Sequence, residues 1–364
     1  MATGLSRRRD RGAATAVVSV VVGSGVLIGA GAVVVDVGRL YVERGELQRG
    51  ADAAAIAVAN ECAKDPDQCA NQLAVAQRYV DDNAADGNTR ITAICGNGQG
   101  LPACPAEPTN LSGCLTDPPT GGYVEVHAAT ESVDGQTVLP PVLATGLAGN
   151  STDNGHAVGA CARAAWGTPT SAATVAVTIS TCVWNHLTSN GTSLAAPPPA
   201  VPSASFEGAI YLHDSRGSTP CPAGPSGWNA PGGFGWLDEL AGPCASEVDA
   251  NGEYGSNPGV SASQSCKTVL AAARASRTVL TMSIFDGVRG NGANAAYHLD
   301  GFTSFVLTGY ALPGFSATSN LTGDRLCRGQ EKCLYGYFTT GIVSATELSP
   351  TASNYGAMTT MLVG

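Results

Sequence analysis

Twelve cysteines and five histidines are the side chains with the widest chemical reach in this 364-residue chain. Cysteine serves as a metal ligand, a nucleophile or half of a disulfide, and spacing separates these uses. Zinc sites bring two ligands within about two to four residues of each other. Here no Cys-x-x-Cys occurs, the tightest pairs are Cys327/Cys333 and Cys62/Cys69, and His127, His156, His186, His213 and His298 are scattered. The spacing assigns no metal site.

Other chemistries fare no better. His213-Asp214-Ser215 places three triad residue types in a row, but triad members converge through folding and not through adjacency. A polar strand end is the reading adopted. Gly224-Pro225-Ser226-Gly227 lacks the spacing of a nucleophile elbow. Gly290-Asn291-Gly292-Ala293-Asn294-Ala295 superficially matches a dinucleotide fingerprint, but no helix pattern follows it. It reads as a hairpin or Ω-type loop. Asp81-Asp82-Asn83 with Asp86-Gly87 has the look of a calcium loop, yet Ala93 stands where the bidentate Glu belongs. It reads as a helix-ending turn. No catalytic set, cofactor site or metal set emerges, and the chain is expected to be non-enzymatic.

Pairing remains. Six cysteines (62, 69, 95, 104, 114, 161) fall in one block and six (182, 221, 244, 266, 327, 333) in another. Equal even counts favour disulfides within each block, although spacing alone does not fix the connectivity. Cys62 and Cys69 bracket Pro66, and Cys327 and Cys333 enclose Gly329-Gln330-Glu331. Both pairs are expected as local staples among at least four bridges.

The elements that carry these cysteines follow from charge. The chain has net charge −10, but residues 1–59 hold seven basic and five acidic groups, whereas residues 60–364 hold twelve and twenty-four. The acidic balance argues against nucleic acid as a partner. A hydrophobic content of 44% excludes a disordered acidic chain. Arg7, Arg8, Arg9 and Arg11 precede an uncharged run of 24 residues, 12–35. As a helix this run is about 36 Å long, enough for a hydrocarbon core of ~30 Å. It reads as a transmembrane helix with its arginine flank in the cytoplasm and the remainder outside. Gly25 and Gly29 form a G-x-x-x-G, with Ala32 near the next turn; such small residues let helices approach closely. Beyond residue 35, Leu40, Tyr41, Leu47, Ala51, Ala55 and Val58 continue a helical spacing interrupted only by Gly45 and Gly50. One helix of about fifty residues is expected, half in lipid.

These residues resemble a known family. Arg9-Asp10-Arg11-Gly12-Ala13-Ala14, then Val35-Asp36-Val37-Gly38-Arg39-Leu40-Tyr41, then Glu46-Leu47-Gln48-Arg49-Gly50-Ala51-Asp52-Ala53-Ala54-Ala55 is similar to the N-terminal module of TadE/TadG-like proteins of Tad/Flp pilus assembly. Gly50 departs from the pattern, where the family usually has Ala. The resemblance covers about the first sixty residues. It implies a membrane-anchored minor pilin or pseudopilin-like component without enzymatic activity, with the lipid bilayer and other pilus-assembly proteins or pilins as partners. Gly12 matches the residue before a prepilin cut, but Val17 stands where such leaders carry Glu, so an uncleaved anchor is expected. A surface-anchored adhesin or ligand-binding ectodomain is the alternative, because the motif leaves the larger part of the chain uncovered.

The outer part reads as a second short helix over residues 68–83 and strands over 89–95, 123–130 and 158–165. A second block begins near residue 167, with strands over 174–180, 209–213, 278–285, 302–311 and 333–345 and a short helix over 268–275. Tyr123-Val124-Glu125-Val126-His127-Ala128 alternates like a half-buried strand. The expected fold is α+β: a long N-terminal transmembrane helix followed by a disulfide-rich, mainly antiparallel extracytoplasmic region. The divisions are a cytoplasmic basic segment (1–11), the span (12–35), a helical stalk (36–83), a small pilin-like β domain (84–167) and a β-rich disulfide-stabilised domain (168–364).

Overall fold

The computed structural model describes residues 10–106, 113–114, 116–131, 138–139, 143, 156–212, 221, 234–257, 261–290, 294–349 and 351–363. Helix α1, Asp10–Lys64, runs for 55 residues, about 80 Å at ~1.5 Å per residue. Its lower half exposes Val17, Val18, Val21, Val26, Leu27 and Ile28, and α1 is long and apolar enough to cross a membrane. Its upper half buries Leu47, Ala51, Ala54, Ala55, Val58, Ala59 and Cys62 completely or nearly so. These positions recur every three or four residues, so one helical stripe faces the protein. The stripe is mostly alanine, which lets other backbone come close.

Pro66 ends α1. A residue before proline is pushed out of the helical region, and Asp65 is extended at φ −144°, ψ 97° while its side chain caps the following turn at the Asp67 N–H. The helix expected over 68–83 is therefore two pieces: a 3-10 turn, Pro66–Asn71, tied back by Cys62–Cys69, and α2, Leu73–Asp81. Helix α2 lies against α1 at Gly50, where an added Cβ would stand 2.9 Å from the Val80 Cα. This contact explains the departure from Ala at that position. Gly50→Ala gains helix propensity of about 1 kcal/mol but overpacks a backbone contact, which typically costs about 1–3 kcal/mol. The variant is expected to be less stable than the parent in urea melts of the detergent-solubilised protein; equal or higher stability would contradict the packing account.

Two sheets follow. The first has the order β1 (Thr89–Gly96), β2 (Gly122–Thr130), β5 (Gly159–Gly167), β18 (Ala357–Leu362), β16 (Gly341–Ile342), antiparallel except for the last pair. Val124, Val126, Ala128, Ala160, Ala162 and Ala164 form its face against α1. A separate short pair joins β3 (Val138–Leu139) to β4 (His156–Ala157).

The second sheet is ordered β8 (Gly208–Tyr211), β15 (Cys333–Thr339), β13 (Ala296–Leu312), β12 (Val279–Arg289), β7 (Val177–Ser180), β9 (Phe234–Trp236). Strands β11 (Glu253–Gly255), β14 (Phe315–Ala317) and β17 (Ser353–Tyr355) add to the long β13. Its core concentrates the chain's few aromatics: Phe285, Tyr297, Phe302 and Phe305 are almost fully buried. Trp184 meets Tyr355 edge-on at 4.8 Å between ring centroids, and its Nε1–H donates to Thr303 Oγ1, which donates in turn to the Tyr355 carbonyl. Trp184 lies on helix α3, Thr181–Thr188, capped by Ser180 Oγ at the Val183 N–H.

Several expected elements change in detail. The strand expected over 174–180 divides at Ala176, whose N–H and C=O turn to Cys244 O and the Leu237 N–H. Strand β6 (Ser171–Val175) consequently pairs with β10 (Ala245–Asp249), while β7 enters the large sheet. The helix expected over 268–275 starts earlier, as α4, Gln264–Ser276, because Ser263 Oγ caps it at the Cys266 N–H. The strand expected over 333–345 divides at Thr340 into β15 and β16, which lie in different sheets. Likewise β17 passes into β18 through Gly356 at φ +96°, a conformation that favours glycine. Residues 341–342 and 357–362, placed by sequence in the second block, thus complete the first sheet.

Candidate functional site

The stalk half of α1 holds the rest of the chain through a ladder of polar side chains. Asp36 is the first charged residue after the apolar run, and both its carboxylate oxygens accept from the Leu143 N–H at 3.2 Å. Two turns on, Glu43 accepts from Thr130 Oγ1. Glu46 accepts from the Ala85 N–H at 2.8 Å. Gln48 donates to the Cys161 carbonyl at 2.9 Å, and Asn60 accepts from Thr360 Oγ1 at 2.8 Å. Each rung joins the helix to a different segment. A groove of about 480 Å³ opens between α1 and the turn after α2, lined by Val35, Gly38, Arg39, Val42, Glu43, Glu46, Ala85 and Asp86.

In the lower half, a Cβ added at Gly25 or Gly29 would meet nothing within 4 Å. The two glycines mark an open face of the apolar segment. The turn at Asp81–Gly87 is occupied by its own hydrogen bonds: Asp81 Oδ1 accepts from Gln77 and Thr89, Asn83 donates to the Tyr79 carbonyl, and Asp86 accepts from the Asn88 N–H. Gly87 takes φ +66° there.

On the face of the first sheet away from α1 lies a buried ion pair. Arg163 and Glu125 sit opposite each other on β5 and β2, each 1% exposed. Arg163 Nε and Nη2 both donate to Glu125 Oε1, at 2.7 and 2.6 Å, and Nη1 donates to the Thr116 carbonyl. Glu125 Oε2 lies 3.3 Å from His127 Nε2. The bridges Cys95–Cys104 and Cys114–Cys161 flank the pair. Among the described residues, the groups of potential metal ligands that cluster are these sulfurs with Glu125. As disulfides they lack the thiolate that binds metal.

The six bridges are Cys62–Cys69, Cys95–Cys104, Cys114–Cys161, Cys182–Cys221, Cys244–Cys266 and Cys327–Cys333. Three fall in each sequence block. His213-Asp214-Ser215 and Gly224-Pro225-Ser226-Gly227 lie outside the described residues. Gly290 stands at the end of β12, which pairs antiparallel with β13, with residues 291–293 outside the description.

In the second sheet, Asp286 Oδ1 lies 2.6 Å from His298 Nδ1 across neighbouring strands, both side chains two-fifths exposed. Burial and the hydrogen bond to Asp300 push the Tyr355 hydroxyl up to about 12. Burial also raises Glu239, but hydrogen bonds from Ser263, Ser265 and the Cys244 N–H outweigh it, so its carboxyl sits below its ordinary value. Sequence reasoning missed Glu125 and Arg163. The available signal was their strand position beside cysteines in the same outward register.

A long helix, bare and apolar below and packed above by a small-residue stripe on an antiparallel sheet, defines a helix-anchored α+β protein with a disulfide-tied outer region. As one module, residues 12–61 match the Flp pilus-assembly TadE/G-like family. The module covers Asp36, Glu43, Glu46, Gln48 and Asn60, the helix side of every rung described above, and it supports a role in pilus assembly. No curated protein and no solved structure matches the chain.

Proposed function

We infer that the protein is a single-pass, membrane-anchored minor pilin or pseudopilin-like component of Tad/Flp pilus assembly, acting by assembly and not by catalysis. The observation that carries this reading is the family match over residues 12–61. Its N-terminus is cytoplasmic and its outer region extracytoplasmic. The arginines at positions 7, 8, 9 and 11 support that orientation, as do six disulfides on one side of the span, which form in oxidising compartments. Its partners are other pilus-assembly proteins or pilins and the bilayer.

Deleting the gene is expected to abolish or sharply reduce piliation, and the full-length chain supplied in trans is expected to restore it. Normal pili after deletion, together with binding of a surface ligand by the full-length protein, would instead favour the adhesin reading. In intact cells, a tag placed before Arg7 is expected to resist external protease while the outer region is cut. Protection of both regions would overturn the orientation.

A further inference from the structure

We propose that α1 pairs in parallel with α1 of a second copy of this chain, along a seam that runs out of the span and into the stalk. This rests on the reading of α1 as a membrane span. On one face of the helix the branched residues Val21, Ile28, Val35 and Val42 recur every seven positions. Three positions after each stands a small residue: Ser24, Gly31, Gly38 and Gly45. This is the a/d pattern of a heptad seam, with branched knobs at a and small residues at d. It is unbroken over about 36 Å of helix at ~1.5 Å per residue.

The seam faces away from the chain's own sheet. Leu40, Leu47 and Ala54 repeat with the same period on the far side of the helix, and they pack into the core under the first sheet. A Cβ added at Gly31 or Gly38 would meet nothing within 4 Å, and one added at Gly45 would meet Arg49 Nη1 at 3.9 Å. Glycine inside an exposed helix is unfavourable relative to alanine. Gly50 is explained by its contact with Val80, whereas Gly38 and Gly45 have no close backbone contact of that kind. Lipid does not explain them either. Asp36 closes the uncharged run, and Val42 and Gly45 lie about 9 and 14 Å beyond it at ~1.5 Å per residue, past a headgroup layer of about 5–7 Å. Val42 is nonetheless 63% exposed.

The second copy is the occupant because the seam is self-complementary. Two copies embed identical apolar runs at one depth, so each layer of one helix meets the same layer of the other, as a two-fold interface requires. Branched side chains at a suit two strands, and small residues at d let the backbones approach. The groove over Val35, Gly38 and Val42, walled by Ala85 and Asp86, receives the partner helix above the bilayer. Arg49, at the next a position, ends the seam. The Gly25/Gly29 face lacks this continuity, since Asp36 stands seven residues beyond Gly29.

Benzoylphenylalanine placed at Val42 of the full-length protein in cell membranes tests the occupant. Photocrosslinks joining two copies are expected from position 42 and not from Val37, which is exposed but off the seam. Adducts with another protein alone, or equal self-adducts from both positions, would overturn the proposal. Sedimentation equilibrium of the oxidised full-length chain in density-matched detergent gives the second readout. A dimer is expected, and Gly31→Ile/Gly38→Ile, which fills the holes, is expected to raise its dissociation constant about tenfold or more. Gly25→Ile/Gly29→Ile is expected to leave it unchanged. All four positions have open space around them in the single chain, so neither variant disturbs the fold. A monomeric parent, or the same response from both variants, would overturn the seam. Retention in the membrane after an alkaline carbonate wash separates the two readings: a retained monomer sinks the pairing alone, and release by the wash sinks the anchor with it.

Discussion

Replacing Arg163 by alanine is expected to cost the first sheet about 3–5 kcal/mol, the usual penalty for stripping one partner from a buried ion pair. Arg163 and Glu125 are each 1% exposed, and three guanidinium nitrogens are spent on Glu125 Oε1 and the Thr116 carbonyl. Alanine leaves the Glu125 carboxylate without its cation and the Thr116 carbonyl without that donor. The double variant Glu125→Leu/Arg163→Leu is expected to recover much of the loss, since apolar replacement of both partners removes the desolvation cost. Urea melts of the detergent-solubilised full chain measure both. An Arg163→Ala midpoint within about 1 kcal/mol of the parent would show that the pair is not what holds this face, since exposed pairs are worth that little.

The second large effect concerns Cys114–Cys161, which closes 47 residues of sequence. In the chain-entropy picture, a loop of that size gives about 4 kcal/mol, against roughly 2 kcal/mol for one of six or seven residues. Cys114→Ser/Cys161→Ser is therefore expected to lower stability more than Cys327→Ser/Cys333→Ser, whose separation is 6. The reverse order in matched melts would refute the loop-length account. The two predictions also interact. Cys114 and Thr116 belong to the same short stretch over the ion pair, so losing the bridge loosens the contact that Arg163 uses. Contacting sites couple by about 0.5–3 kcal/mol, and the combined variant is expected to lose less than the sum. Full reduction of all six bridges is expected to unfold the outer region.

Much of this architecture was legible where a period or a punctuating residue acts locally. The run 12–35 and the stripe through Leu47, Ala51, Ala55 and Val58 announce a two-part helix, and the paired counts of cysteine announce bridges within blocks. Strand ends were legible only in part, because long-range pairing overrides local propensity. Ala176 and Thr340 sit inside β-rich runs, yet each divides its run because its flanks pair with different sheets. Strand β18 was missed altogether; Ala357–Leu362 becomes a strand through its partner β5, far away in sequence. The ion pair was hidden for the same reason. Glu125 alternates with valines as a solvent-facing residue should, and only the cover carrying Cys114 and Thr116 makes that face interior.

The strands that change sheets have a mechanical consequence. The chain passes between the two sheets four times: after β5, between β15 and β16, between β16 and β17, and at Gly356 between β17 and β18. Tension applied to the far sheet thus reaches the first sheet through several chain crossings instead of one linker, although only the crossing after β5 is covalently continuous with α1. The last route ends in β18, laid antiparallel along β5, and β5 packs directly on the anchor helix. A pull along that strand loads its hydrogen bonds together, in shear, and does not peel them singly. A single protease cut in any one crossing leaves the two sheets joined by the others.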